Sequence, residues 1–450
     1  MAGIFAISVD PGRYGGDFKE DFFKGTLYQQ HLGEKQSGVA VYNGSEIVAR
    51  SCSGLFRSNF QKGSLDGSEA IGYCGLNQEP SLHQTRIGGV AACFSGNITN
   101  HHSLKMELLL SGQTFGKGDE IETIVKLLVE EGSLIDGIFN LTQKIKGSCA
   151  LVALNGSGIY AATFPGHWPL VIGEKKGAVA LSTDSSGFRN IGFRIVRSLE
   201  PGEIVSMKWG EIRTEKVIPL ESKKICSFFF VYTAFPTGLF NQVLVSEVRK
   251  KLGAALARRD IQRGFIPDLV APIPDSGRFN AIGYHQEFCR QANKGEIDKI
   301  PLFDEVLLKY PYTGRSFTAT DKEARKWEAD IKLLGSNDDY QGQKLVVCDD
   351  SIVRGTQAQT QLVPKLRRLG FSEIHFRISN PELFSRCLWG NTTKEGEFFS
   401  LRYPSLESKK RALEIDGIEF NNRTDLIEAI GLPKHLVCQD CSFKKRQAVY

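Results

Sequence analysis

The segment Lys344-Leu-Val-Val-Cys-Asp-Asp-Ser-Ile-Val-Arg-Gly-Thr-Gln357 constrains this chain more than any other feature. An apolar strand runs into two acids, then a short loop with Gly355 and Thr356, then a helical pattern from about Gln357 to Leu369. A helix N-terminus offers free backbone N–H groups and partial positive charge, which together hold a phosphate. Gly355 lets the backbone approach a ligand closely, and Ser351 and Thr356 add hydroxyl donors. Asp349 and Asp350 would sit at the carboxyl end of a parallel strand, where open α/β sheets bind ligands. Two carboxylates beside such a loop suit ribose hydroxyls and Mg²⁺, which prefers hard oxygen ligands. The plainer reading is a strand–turn–helix whose acids cap the helix start.

The rest of the second half agrees with a parallel sheet. Apolar runs at 268–273, 345–348 and 374–378 end in polar turns, and helical patterns lie between them. One helix is expected over Val243–Arg259, with Val245, Val248, Leu252 and Leu256 on its apolar stripe and Arg249, Lys250, Arg258 and Arg259 off it. Residues 1–220 read differently, as many short apolar runs between Gly, Ser and Asn, for example 38–42, 150–154 and 178–181. Helices are expected at His102–Leu110 and Ile121–Glu131. The charged stretch after Pro219 marks a boundary, which places domains at 1–222 and 223–450.

Composition narrows the function. A net charge of +5 over 450 residues is too mild for a dedicated nucleic-acid binder, and no helix-turn-helix pattern is present. No run of about 18 apolar residues exists to span a membrane, and MAGIFAISVD lacks the basic start and long apolar region of a secretory signal. Ten cysteines in such a chain imply a reducing, cytoplasmic setting. Cys438-Gln-Asp-Cys441 is by itself either two reduced surface thiols or half of a Zn²⁺ site.

DDSIVRGT resembles the phosphoribosylpyrophosphate (PRPP) motif of type I phosphoribosyltransferases, in particular that of the amidophosphoribosyltransferase family, which opens purine biosynthesis. The resemblance covers nearly the whole chain. Pro274-Asp275-Ser276-Gly277-Arg278 resembles the family's pyrophosphate loop, and Lys309 with Tyr312–Phe317 resembles the start of its flexible loop. Residues Tyr28–Gly33 and Gln36–Val39, Ser95–Asn100 and Glu200–Ile204 resemble its glutaminase domain. The implied fold is an α+β N-terminal-nucleophile-hydrolase-like sandwich followed by an α/β type I phosphoribosyltransferase domain with a parallel sheet. The implied PRPP-binding residues are Asp349, Asp350, Ser351, Arg354, Gly355, Thr356, Asp275, Ser276, Gly277, Lys309, Arg315 and Lys332, with Mg²⁺ on Asp349 and Asp350. One branch of the family carries a [4Fe–4S] cluster on four cysteines, and Cys226, Cys387, Cys438 and Cys441 fall at those places; Zn²⁺ is the alternative. The six other cysteines read as buried small apolar residues, and His167 and Trp168 as packing.

The chain also departs from the family. Removal of Met1 would expose Ala2 where the family has its nucleophilic cysteine, and alanine has no nucleophile. The family's His-x-Arg-Tyr run is Tyr73-Cys74-Gly75-Leu76, its oxyanion-hole Asn is Ser95, the Asp that holds the glutamine amine is Glu120, and a further arginine is Leu32. Losing one oxyanion donor alone costs about 10²–10³ in rate, so the resemblance implies an inactive glutaminase site. In the second half, Asp330 reverses a basic position, Gln357 replaces a Thr, Pro311 replaces a basic residue, Pro364 should kink its helix, and residues 291–299 look inserted. Two functions follow. One is an ammonia-dependent amidophosphoribosyltransferase, with ammonia free or supplied by a partner protein. The other is an inactive paralogue that senses PRPP or a nucleotide, or regulates an active amidotransferase. Family usage implies a homo-oligomer.

Overall fold

A computed structural model describes residues 2–311, 333–336, 340–390, 393–394 and 396–444. Arg315, Lys332 and Asp330 lie outside the described residues.

The first half is a four-layer α/β/β/α sandwich. One antiparallel sheet has seven strands, in the order Arg194–Ser198, Val171–Lys175, Ala178–Ser182, Gly3–Val9, Glu69–Gly75, Gln36–Tyr42 and Ile47–Ser53. The other has six, in the order Glu211–Val217, Glu203–Lys208, Gly158–Phe164, Gly147–Asn155, Gly88–Ile98 and Ser81–Thr85. Side chains alternate between the two faces of a strand. Thus Ala91 and Cys93 enter the core between the sheets, whereas Val90, Ala92 and Phe94 pack under the helices Glu120–Val129 and Leu134–Lys144. Helix Phe18–Leu27 covers the other sheet, with Gly25 so close to the Phe5 ring that a Cβ would lie 2.3 Å from it. Burial on both faces explains why these strands read as unbroken apolar runs.

The second half is a five-stranded parallel sheet ordered Leu302–Phe303, Leu269–Pro272, Lys344–Asp349, Glu373–Ile378 and Gly417–Phe420. Leu345 and Val347 enter one core, Val346 and Cys348 the other. Helices Val245–Gln262 and Arg278–Asn293 pack against each other at backbone distance. A Cβ on Gly253 would stand 1.9 Å from Asn280 O, and one on Gly283 2.0 Å from Lys250 O. Beneath them Asp260 takes both ends of the Arg377 guanidinium, at 2.5 and 2.9 Å, and the Tyr284 hydroxyl at 2.6 Å.

Several expectations shift in detail. The helix expected from Val243 begins at Val245, because Val243–Leu244 pairs with Leu239–Phe240 as a hairpin. Arg249, read as off the apolar stripe, is buried at 2% exposure. At Pro364, where a kink is expected, the helix carries a widened turn. Proline removes one backbone donor, and the turn before it widens, so that the Val363 N–H reaches Ala358 O. Cys74, Cys93, Cys149 and Cys348 are buried as expected, but Cys52 and Cys289 are only half-buried. Of residues 291–299, the first three simply finish the Arg278–Asn293 helix. No described helix is long and apolar enough to cross a membrane.

Candidate functional site

The two acids stand where the central strand ends. Asp349 closes the strand Lys344–Asp349, and the next strand accounts for the backbone beyond it: Ser379 N–H donates to Asp349 O at 3.0 Å and Asn380 N–H to Asp350 O at 2.7 Å. The carboxylates are knit together locally. The Asp350 N–H donates to Asp349 Oδ1 at 2.8 Å, the Ser276 hydroxyl to the same oxygen at 3.2 Å, and the Ser351 hydroxyl to Asp350 Oδ1 at 2.6 Å. Burial pushes Asp349 well above the usual carboxylate range, with Asp350 adding to it. Burial lifts Asp350 to about 6, against the hydrogen bonds of Ser351 and Ser276 and the charge of Arg249. Two desolvated carboxylates side by side favour a cation.

The loop beyond is open on its outer side. Arg354, Thr356 and Gln357 are exposed, and Gly355 adopts φ +76°. A Cβ there would lie 2.6 Å from the Phe399 ring, so glycine is required by both conformation and space. The first helical turn closes with Gln359 N–H on Gly355 O at 3.0 Å. Arg354 turns aside to Glu397, at 2.8 Å.

A second loop faces the acids from the neighbouring strand. The Pro274–Asp275 peptide is cis. Gly277 precedes the helix Arg278–Asn293, and a Cβ on it would stand 2.1 Å from Cys348 O, which pins this loop against the central strand. Asp275 faces outward and pairs with Lys309 at 3.1 Å and Arg278 at 3.5 Å. Lys309 ends the strand Leu307–Lys309 and lies opposite Leu333 in its pairing with Leu333–Gly335. The structure therefore assembles Asp275, Ser276, Gly277, Lys309, Asp349, Asp350 and Ser351 around one sheet edge, with Gly355 and Thr356 following. The sequence reading missed Arg249. Its Nε donates to Phe230 O at 3.0 Å and its Nη2 to Tyr232 O and Ala234 O at 3.1 and 2.7 Å, and it acts electrostatically on Asp350.

In the sandwich, Ala2 is buried and its N–H donates to Ser95 Oγ at 2.9 Å. Strand register sets Gly3 opposite Cys74. A Cβ on Gly75 would fall 2.1 Å from Tyr73 Oη, and one on Gly33, next to Leu32, 2.4 Å from Gly75 Cα. The backbones and the Tyr73 ring thus close over the place that an arginine side chain at 75 would need. Glu120 opens its helix and is pushed up by partial burial.

The four expected cluster cysteines come from three segments. Ile225–Cys226 pairs in parallel with Val437–Cys438, which sets Cys226 beside Cys438. Burial pushes the thiols of Cys226, Cys438 and Cys441 up, and each is raised further by others of the set, Cys387 included. Among the described residues no three His, Cys, Asp or Glu are poised as a ready metal site. By its chemistry the donor set is of a kind that takes a thiophilic metal, because four thiolates, which would repel one another when bare, are the ligands of such a group. His167 and Trp168 do pack, and against the Cys387 loop: His167 stacks on Trp389 at 4.2 Å, and Trp168 Nε1 donates to Trp389 O at 2.9 Å.

No family model matches the chain. Among curated proteins it is 28% identical over 465 residues to the amidophosphoribosyltransferase of Methanocaldococcus jannaschii, covering 96% of this chain and 94% of that one. It is 28% identical over 418 residues to the amidophosphoribosyltransferase of Bacillus subtilis, covering 89% and 85%. Among solved structures, glutamine phosphoribosylpyrophosphate amidotransferase from B. subtilis complexed with ADP and GMP superposes with a TM-score of 0.87 at 26% identity, covering 99% of this chain and 97% of that one. Likeness in sequence and in fold runs through both halves, the sandwich and the parallel sheet alike, so the chain is similar along its length to amidophosphoribosyltransferases.

Proposed function

We propose that the chain binds PRPP with Mg²⁺ and displaces its pyrophosphate with ammonia, not glutamine, to give a phosphoribosylamine. The observation that carries this reading is the pair of half-buried Asp349 and buried Asp350 at the end of the central strand, flanked by the Gly355 loop and the Ser276–Gly277 loop. Asp349 and Asp350 hold the ribose hydroxyls and Mg²⁺. Ser351, Arg354, Gly355 and Thr356 hold the 5′-phosphate. Asp275, Ser276, Gly277 and Lys309 take the pyrophosphate side, with Arg315 and Lys332 on the segment that follows. The ammonia lone pair attacks the anomeric carbon, the C–O bond breaks with its electrons leaving on pyrophosphate, and the surplus proton goes to solvent. Positioning and charge stabilisation carry such a step.

The division into a sandwich of residues 1–222 and a transferase domain of residues 223–450 belongs to the same reading. The sandwich is a scaffold without glutaminase activity, because Ala2, Leu32, Gly75, Ser95 and Glu120 replace the nucleophile, two arginines, an oxyanion donor and an amine ligand. Cys226, Cys387, Cys438 and Cys441 hold a [4Fe–4S] cluster, or Zn²⁺ in its place, which clamps the C-terminal tail. The chain works as a homo-oligomer, and its ammonia is either free or delivered by a partner protein.

The second reading is a PRPP or nucleotide sensor, or a regulatory partner of an active amidotransferase. The charge reversal at Asp330 and the nucleotides bound to the B. subtilis relative support it. Pyrophosphate release from PRPP, with Mg²⁺ and excess ammonium on anaerobically purified protein, decides between the two. Release that requires ammonium and vanishes in Asp350→Ala is expected. Saturable PRPP or nucleotide binding without release would establish the sensor, and detectable glutamine hydrolysis would overturn the scaffold role of the sandwich.

A further inference from the structure

We infer that the sandwich carries a seat for the four-cysteine site: Asn97 and the loop Pro165–Trp168 are positioning residues that hold the Cys387 segment where the other cysteine segments meet it. The inference rests on the reading of Cys226, Cys387, Cys438 and Cys441 as metal ligands.

The three cysteine segments are bound to one another by hydrogen bonds. Ile225–Cys226 pairs with Val437–Cys438. Before Cys387, the Phe384 and Ser385 N–H groups both donate to Cys441 O, at 2.9 and 3.2 Å, and the Ser385 hydroxyl donates to Asp440 O at 3.1 Å. After Cys387, Trp389 Nε1 donates to Asp440 Oδ2 at 3.3 Å. The sandwich reaches two of these segments directly. Lys224 N–H, two residues before Cys226, donates to Pro165 O at 3.2 Å. Asn97 Nδ2, near the end of the strand Gly88–Ile98, donates to Leu388 O at 2.7 Å, and Trp168 Nε1 donates to Trp389 O at 2.9 Å. Those are the two carbonyls that follow Cys387, so two side chains of the sandwich fix the backbone next to that thiol.

The loop is itself held firmly. Trp168 O accepts from the Thr163 hydroxyl at 2.7 Å, which ties it to the strand Gly158–Phe164. A Cβ on Gly390 would stand 3.0 Å from the Trp168 ring. His167 is 1% exposed and stacks on Trp389 at an angle of 18°, and neither of its ring nitrogens has a hydrogen-bond partner. A buried imidazole without a partner stays neutral, because an unpaired charge there is expensive. The ring therefore serves as a flat plate behind Trp389. Groups that restrict a ligand's backbone favour metal retention, because less freedom is lost on binding.

The test is metal retention by full-length protein purified anaerobically: wild type, Asn97→Ala, Trp168→Phe, His167→Ala and His167→Phe. Iron and zinc per chain are measured by elemental analysis. Metal loss is followed by colour as excess bathophenanthroline disulfonate takes up iron or pyridylazoresorcinol takes up zinc, well below each melting temperature. Asn97→Ala and Trp168→Phe, each lacking one hydrogen bond, should lose metal about two- to tenfold faster than wild type. His167→Ala should do the same, and His167→Phe, which keeps a neutral plate, should return to the wild-type rate. Val41→Ala is the control for general loosening, since its strand pairs with neither Gly88–Ile98 nor Gly158–Phe164; it should melt earlier and keep its metal as wild type does. If His167→Ala does not fold, the other variants carry the test. Wild-type retention in Asn97→Ala and Trp168→Phe, or equally fast loss in Val41→Ala, would overturn the inference. A wild type with neither iron nor zinc would instead overturn the metal reading of the cysteines beneath it.

Discussion

Glu79 gives the stability of this fold a pH dependence that one substitution removes. It is fully buried, and its carboxyl accepts from the Phe94 N–H at 2.8 Å and from the Asn77 amide at 3.3 Å. Burial pushes it from 4.5 up to about 8, and those two donors offset only part of that. The folded chain therefore keeps Glu79 protonated at pH values where the unfolded chain ionises it. The sign follows directly. Below about 4.5 the group is neutral in both states and costs nothing. Between 4.5 and 8 the unfolded state gains by ionising, and stability falls as pH rises. Above 8 both states are ionised and the loss is complete. At about 1.4 kcal/mol per pH unit, a window from 4.5 to about 8 corresponds to at most about 5 kcal/mol, with about 3 kcal/mol already lost at pH 7. Glu79→Gln keeps an acceptor for Phe94 and cannot ionise. Urea unfolding of both proteins from pH 5 to 9 should show Glu79→Gln gaining on wild type by about 1 kcal/mol per pH unit up to pH 8, then running parallel. Curves parallel throughout would refute the argument, for they would mean that Glu79 ionises as easily in the fold as outside it.

Asp260→Ala should cost about 3–5 kcal/mol, because it leaves Arg377 buried without its partner; calorimetric melting checks this. Gly277→Ala should leave the protein folded but lower PRPP affinity at least about tenfold, since its Cβ would sit 2.1 Å from Cys348 O and must displace the loop; titration calorimetry reads it. Ala2→Cys should not restore glutamine hydrolysis, because Gly75, Leu32 and Ser95 leave the substrate unheld; measurable glutamate release would show a site more intact than its residues suggest. Cys387→Ser should lower the iron or zinc content of anaerobically purified protein, measured by elemental analysis, and unchanged metal content would remove Cys387 from the ligand set.

What could be read from the sequence was what short range determines. The acid pair, the glycine turn and the helix after it are contiguous, so one 14-residue window carries their geometry, and the structure sets them at the strand end as expected. The helix Glu120–Val129 was legible for the same reason: its apolar stripe is a local period. The Pro364 helix shows where a local rule meets a local remedy, one widened turn absorbing the missing donor. The meeting of Cys226 with Cys438 was legible only through family resemblance, because it comes from a strand pair that spans the whole second half.

Arg249 and Glu79 mark the other limit, and for one physical reason. A charge at 3–4 spacing off an apolar stripe is ordinarily a solvated face, and nothing near Arg249 in sequence contradicts that. Its burial depends on three carbonyls that precede its helix and on a helix crossing made possible by Gly253 and Gly283. Glu79 likewise needs the Phe94 N–H, on the strand Gly88–Ile98, to donate to its carboxyl oxygen. A buried charge is defined by partners distant along the chain, so its position cannot be read from its neighbours. That also bears on the proposed loss of glutaminase chemistry in the sandwich. On that reading, Ala2 and Gly75 remove chemistry visible as motifs, whereas the contacts of Asp184 and Ser185 with Phe235 and Leu239 leave no motif at all. Missing motifs in the first half therefore bear only on glutaminase chemistry, and say nothing against the contacts by which the first half holds the start of the second.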